Sequence, residues 1–310
     1  MAFEIKNGSV LSDSLEVHAV DHCNLSCLSC SHLSPLSPKR RPALASIERS
    51  LARLARVYRA KTAKVLGGEP LLRGDLLALI RAIRKTRVAQ SVRILSNGTL
   101  LSRFDGEILD SVDSVELSVY PEHPIALPVM RLFHERCRQR GVRLYLRAYT
   151  HFRASGSRPG TRVLALVQRL YKACWYAHAW GCHRVDAGRF YKCPLAASTD
   201  RLVRPPRAPS SGILISDDPS FFKTLADYLA AADQALPACS HCLGVAGLKF
   251  RHRQATRAEW KAFHARPTES LVDYEFLERI EAGKVDDRPD WCGPYGPEGE
   301  FEMGNGTDSV

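Results

Sequence analysis

The strongest constraint on this chain is a repeated alternation of two periodicities. Short apolar runs occur at 15–20 (LEVHAV), 63–67 (AKVLG), 91–96 (SVRILS), 114–120 (SVELSVY) and 142–149 (VRLYLRAY). Helical spacing fills the gaps at 46–58, 75–85, 102–109 and 128–140, and follows the last run at 161–174. In 46–58, Ile47, Leu51, Leu54, Ala55 and Tyr58 share one face. Strands separated by helices pair in parallel, because a parallel neighbour is reached only by a crossover. The expected class is α/β, with the sheet open or curled into a barrel. In such folds chemistry gathers at the C-terminal ends of the strands.

Beyond about residue 180 the pattern changes. Residues 184–192 read as a hairpin turning at Gly188, and 202–218, rich in Pro and Ser, as a mobile loop. Helical spacing resumes at 221–232, 257–265 and 270–282, and the tail from Gly283 is rich in Gly, Pro and acid. A length of 310 residues suits one large domain with a smaller one.

The net charge of +11 is concentrated before position 150, on helical faces such as Arg49, Arg53, Arg56 and Arg59. The plain reading is solvated helix surface. The sharper one is a field that steers an anionic substrate or an acidic electron donor. No dense basic run is interleaved with aromatics, so nucleic acid is not an expected partner. No apolar run reaches the roughly 18 residues of a spanning helix. MAFEIKNGSV lacks the basic and apolar regions of a secretion signal. The cytoplasm, without membrane attachment, is the expected location. Thiols stay reduced there, so ten cysteines read as ligands or catalysts.

Three of them, Cys23, Cys27 and Cys30, fall in DHCNLSCLSC, directly after the first strand. A four-iron cubane normally takes four thiolates, so three on one loop leave one iron open to a reactant. The alternative is a zinc site that pairs Cys27-x2-Cys30 with Cys239-x2-Cys242. LGGEPLL (66–72) ends the second strand, LSNGTLL (95–101) the third, and VELSVY (115–120) forms the fourth. In this order and at these strand ends, the four segments resemble the radical S-adenosylmethionine (SAM) superfamily.

The resemblance implies a partial (β/α)6 TIM-type barrel over 14–180. It implies that Cys23, Cys27 and Cys30 hold a SAM-binding [4Fe–4S] cluster. It assigns Gly67, Gly68, Glu69 and Pro70 to the methionine amino group, and Ser96, Asn97 and Ser118 to the cofactor. Arg147 is a candidate for the methionine carboxylate, with an outward surface arginine as the alternative. One departure is Ser29, where many members carry an aromatic against the adenine.

Cys182, Cys193, Cys239 and Cys242, with Gly188 five residues before Cys193, resemble the twitch subdomain, a shortened SPASM extension. This covers 181–250 and implies a second, auxiliary [4Fe–4S] cluster with every iron ligated. The alternatives are a structural zinc hairpin or unrelated core cysteines. Residues 251–310 are C-terminal helices and tail. Cys137 and Cys174 continue apolar stripes and read as core. Cys292, in DRPDWCGPYGPEG, is either a loop thiol without a role or a hydrogen-atom donor. Tyr120, His123 and Tyr149, near strand ends, could orient a polar substrate or remove a proton. His22 and His32 flank the thiol loop.

These features lead to an expected radical SAM oxidoreductase of a small polar metabolite (a sugar, aminocyclitol or nucleoside) in specialised biosynthesis. Its electron donor would be of flavodoxin or ferredoxin type. The layout is similar to that of twitch dehydrogenases. Three alternatives stand beside it: an epimerase using Cys292, a peptide-modifying maturase, and a non-catalytic zinc protein. An N-terminal peptide-recognition domain is not expected, since the first thiol comes by residue 23.

Overall fold

The computed structural model describes residues 3–205 and 207–285. Strand β1 (Phe3–Lys6) turns at Asn7 and Gly8, both at positive φ, into the long β2 (Ser9–Val20) and pairs with it antiparallel. From β2 the sheet continues in parallel through β3 (Tyr58–Gly67), β4 (Ala89–Ser96), β5 (Ser114–Val119) and β6 (Arg143–Ala148). Helices α1 (Leu44–Leu54), α2 (Leu76–Thr86), α3 (Gly106–Asp110) and α4 (Leu127–Arg138) make the crossovers.

Strand β7 (His151–Arg153) leaves this sheet, and α5 (Leu164–Lys172) and α6 (Trp175–His178) lead to β8 (Cys182–Asp186). β8 pairs in parallel with the free side of β2, so six parallel strands lie in the order β8-β2-β3-β4-β5-β6. This is the parallel α/β architecture of the partial TIM-type class. β9 (Arg189–Tyr191) hairpins back from β8, α7 (Pro194–Leu202) follows, and β10 (Ile213–Leu214) adds to β9. The sheet therefore runs through the boundary drawn between residues 180 and 181. After α8 (Phe221–Ala230), β11 (Lys249–Arg251) pairs with β7, and α9 (Arg257–His264) and α10 (Tyr274–Glu281) close the described chain.

The strands carry two unlike faces. On β2, Leu15, Val17 and Ala19 enter the main core with Leu51 and Leu54 of α1, Leu79, Ile80 and Ile83 of α2, and Phe133 and Cys137 of α4. Ser12, Ser14, Glu16 and His18 alternate with them and are buried on the opposite, inner face. The inner face is thus polar although water is largely excluded from it, which is unusual for packing alone.

Two expectations needed correction. The helix expected over 46–58 ends at Leu54, and Tyr58 begins β3. The period-2 alternation of buried Tyr58 and Ala60 with exposed Arg59 and Lys61 overrides the helical spacing, and the Tyr58 hydroxyl meets His183 Nδ1 at 3.0 Å. The segment 202–218 is not a bare loop. Asp200 accepts from Ser211 N at 2.6 Å and Ser211 Oγ at 2.8 Å, which sets up β10.

Candidate active site

The thiol loop leaves the end of β2 and is held by the end of β3. Gly68 N donates to Val20 O at 2.9 Å and Glu69 N to His22 O at 3.1 Å. This contact requires glycine. A Cβ on Gly67 would sit 2.0 Å from Val20 O, and one on Gly68 would sit 1.8 Å from His22 O. Gly67 also holds φ at 143°, a region that side chains disfavour.

Glu69 is fully buried at the centre of a clasp. Its Oε1 accepts from Leu71 N at 3.1 Å and Ser96 Oγ at 2.9 Å, and its Oε2 accepts from Asn97 N at 2.9 Å. Burial pushes its carboxyl up to about 7, against the lowering effect of these three bonds. Asn97 Nδ2 in turn donates to Asn24 Oδ1 at 2.9 Å and to Cys23 Sγ at 3.5 Å. The GGEP and SNG segments thus act on the thiol loop through one hydrogen-bond network. Pro70 starts the turn after Glu69.

N–H groups aim at all three sulfurs. Leu25 N lies 3.4 Å from Cys23 Sγ, and Gln254 Nε2 lies 3.4 Å from Cys27 Sγ. Backbone groups of Ser34, His32 and Leu33 face Cys30. Burial pushes Cys23 and Cys27 up to about 12, so deprotonation needs a cation. A buried thiolate set with N–H donors fits an iron–sulfur cluster.

Sequence reasoning missed the other wall of this loop. Leu28 N donates to Arg253 O at 2.9 Å, Ala255 N to Ser26 O at 2.9 Å, and Trp260 Nε1 to Cys27 O at 3.3 Å. The segment 253–255 is a strap from the far end of the chain, and no local signal announces it. Ser29, at φ 56°, faces Ser155, whose N–H donates to Ser29 Oγ at 2.8 Å. The Ser29 and Ser155 hydroxyls, 3.0 Å apart, pair at this departure from the superfamily pattern.

Tyr120 and Tyr149 come together at the ends of β5 and β6, ring centroids 5.9 Å apart, and His252 stacks on Tyr120 at 4.5 Å. Burial holds the Tyr120 phenol well above its ordinary value, with Cys27 and Cys30 adding to the rise. Tyr120 is therefore a hydrogen-bond donor and no base at neutral pH. Ser118 lies beside it and His123 bridges to its backbone. Arg147 faces inward, with Nε 2.8 Å from the buried Glu116, which also pairs with Arg93 at 3.0 Å. The outward alternative for Arg147 is corrected. His22 stays near the loop, its backbone oxygen accepting from Glu69 N.

The second thiol set differs from expectation in one member. Cys193, Cys239 and Cys242 lie within electrostatic reach of one another and of Cys174. Cys174 and Cys193 are buried in one small core against which Cys239 and Cys242 pack. Cys182 is not with them. It pairs in register with Ser14, well before the end of β2, and its sulfur accepts from Ser14 Oγ at 3.5 Å and Lys64 Nζ at 3.7 Å. Cys174, read from the sequence as core, thus stands beside Cys193, Cys239 and Cys242 where Cys182 was expected. Cys174 caps the start of α6 rather than continuing the α5 stripe, and that break was the available signal. Gly188, at φ 76°, makes the β8–β9 turn that brings Cys193 round. Cys292 lies outside the described residues.

Residues 18–169 match the Radical SAM superfamily, and this segment is a radical SAM domain. Among curated proteins it is similar to a probable GTP 3′,8-cyclase of Metallosphaera sedula, 32% identical over 110 residues, which are 35% of this chain and 34% of that protein. A probable GTP 3′,8-cyclase of Pyrococcus abyssi is 33% identical over 107 residues, 34% of each chain. The chain thus spans about a third of the length of these relatives. Among solved structures, BtrN in complex with AdoMet and 2-DOIA is 14% identical at a TM-score of 0.41, over 73% of this chain and 84% of that one. Streptococcus suis SuiB bound to S-adenosylmethionine is 15% identical at 0.32, over 44% and 40%. Among the described residues, no helix is long and apolar enough to cross a membrane.

Proposed function

We propose that the chain is a radical SAM oxidoreductase with an auxiliary [4Fe–4S] cluster, acting on a small polar metabolite such as a sugar, aminocyclitol or nucleoside. The observation that carries this is the presence of two separate thiol sets, each buried or half-buried: Cys23, Cys27 and Cys30 on the loop after β2, and Cys174, Cys193, Cys239 and Cys242 beyond the sheet. One zinc ion with sulfurs at about 2.3 Å would hold them about 3.8 Å apart. Among the described residues no three cysteine sulfurs lie within 4.8 Å of one another, which favours multi-iron clusters over single zinc ions.

When bound to the open iron of the first cluster, SAM supplies hydrogen-atom abstraction. The chain's own residues do the positioning. Gly67 and Gly68 let β3 close on the thiol loop, and Glu69 fixes Asn97 against Cys23. Tyr120 and Tyr149 offer hydroxyls near the ends of β5 and β6, and Arg147 offers a guanidinium on the inner face toward an anionic group. The second set has a thiolate for every iron of a cubane, so it suits accepting an electron rather than chelating substrate. Removing a hydrogen atom from an alcohol carbon, then an electron to the second cluster and the hydroxyl proton to solvent, would give a ketone. An acidic flavodoxin or ferredoxin would supply the reducing electron, drawn by the basic surface. The cyclase likeness spans too little of those proteins to carry their substrate here.

The test is anaerobic incubation of the reconstituted chain with SAM, a reductant and panels of sugars, aminocyclitols and nucleosides. The reading expects 5′-deoxyadenosine and a ketone product. Cys174→Ala should keep 5′-deoxyadenosine formation and lose the ketone. Absence of any SAM cleavage dependent on Cys23 would contradict it.

A further inference from the structure

Glu16, His18 and His32 stand apart from both thiol sets. Glu16 and His18 lie on the inner face of β2, 7% and 3% exposed. His32 follows Cys30 on the loop, and its ring meets that of His18 edge-on at a centroid distance of 5.1 Å. One ligand atom from each of the three residues lies within 4.8 Å of the other two.

Two of the three are not satisfied by the protein around them. Neither ring nitrogen of His18 has a hydrogen-bond partner, and neither does Glu16 Oε2. Asp21 Oδ1 approaches His18 Nδ1 only to 3.6 Å, too far for a hydrogen bond. Of the nearby cations, Arg184 pairs with Asp186 at 3.0 Å and Ser198 at 2.8 Å, Arg201 with Asp186 at 2.6 Å, and Lys64 with Cys182 at 3.7 Å. Buried polar atoms this close together and without partners are what a cation site looks like when only its ligands are drawn.

We propose that Glu16, His18 and His32 bind one divalent first-row transition ion of the zinc or ferrous class. Two imidazoles and one carboxylate suit these ions, and three protein ligands leave a position for water or an oxygen of the substrate. The ion would tie β2 to the segment after Cys30 and place a Lewis acid on the polar inner face. It uses no thiol, so it stands or falls separately from the radical reading.

The experiment uses the full chain after anaerobic cluster reconstitution, equilibrated with Zn2+ and desalted over a weak chelator. Zinc, iron and sulfide are counted in the same sample, and zinc K-edge absorption reads the ligand shell. The expected result is about one zinc per chain with nitrogen and oxygen at about 2.0–2.1 Å and no sulfur at about 2.3 Å. His18→Ala and Glu16→Gln should each lower retention at limiting zinc at least tenfold, with iron and sulfide unchanged. His32→Ala, on the loop, should do the same while leaving every side chain of β2 itself in place. No zinc in the parent, a sulfur shell, or retention in all three variants equal to the parent's would overturn the proposal.

Discussion

Gln254 donates from its side-chain amide to Cys27 Sγ at 3.4 Å, across 227 residues of sequence. The same side chain accepts from Ser26 N at 2.5 Å, and Gln254 N donates to Glu122 Oε2 at 2.7 Å. The C-terminal strap therefore shapes the environment of a thiolate as well as covering it. Hydrogen bonds to cluster sulfurs stabilise the reduced, more negative state. Gln254→Ala should lower the midpoint potential of the first cluster by about 40 mV, the one-electron equivalent of about 1 kcal/mol for one bond. A redox titration followed by electron paramagnetic resonance reads this. An unchanged potential would mean that the amide is only a structural tie.

Glu69 predicts a pH signature. Burial raises it from 4.5 to about 7, so between those values the folded chain holds a proton that the unfolded chain has lost. Its contribution to stability is present below about pH 4.5, falls as pH rises toward 7, and is lost above that. Glu69→Gln removes the titration but also an acceptor for the backbone N–H groups, so the variant is less stable than the parent at pH 5. From pH 5 to 7.5 the stability of the variant relative to the parent should rise by up to about 3 kcal/mol. Denaturant unfolding of both proteins at the two pH values measures it, and a pH-independent difference would contradict the assignment.

The close approach at Gly68 predicts a sharp contrast between two glycines. The Cβ of Gly68→Ala would meet His22 O at 1.8 Å, His22 C at 2.1 Å and Cys23 N at 2.7 Å, all of them backbone. The loop must move, so iron in the first cluster should be lost and stability should fall by about 1–3 kcal/mol. Gly74→Ala meets nothing within 4 Å and should stay within about 0.5 kcal/mol of the parent. Iron content and thermal unfolding of the two variants decide it.

Much of the site near the ends of β2 to β5 was legible, because its signals are local. A thiol loop directly follows a strand, and Gly67-Gly68 and Asn97-Gly98 mark strand ends where backbones approach or turn. What was hidden depends on distant chain or on competing periodicities. Gln254 and Trp260 reach the first loop from more than 220 residues away, His252 reaches Tyr120 across 132, and no spacing rule connects them. Cys174 was hidden by the apolar stripe before it, although it caps the next helix. Cys182 looked like a ligand because it opens the hairpin that carries Cys193, yet strand pairing with Ser14 turns it into the polar inner face. Tyr58 satisfied both a helical face and an alternating strand, and only pairing with β2 decides between them.

The most direct measurement is iron and sulfide content after anaerobic reconstitution, for the parent and three variants. The account predicts about eight irons and eight sulfides per chain. The Cys23, Cys27 and Cys30 triple alanine variant and Cys174→Ala should each fall toward about four irons. Cys182→Ala should retain the full content. Zinc without sulfide in the parent, or loss of iron in Cys182→Ala with none in Cys174→Ala, would contradict it.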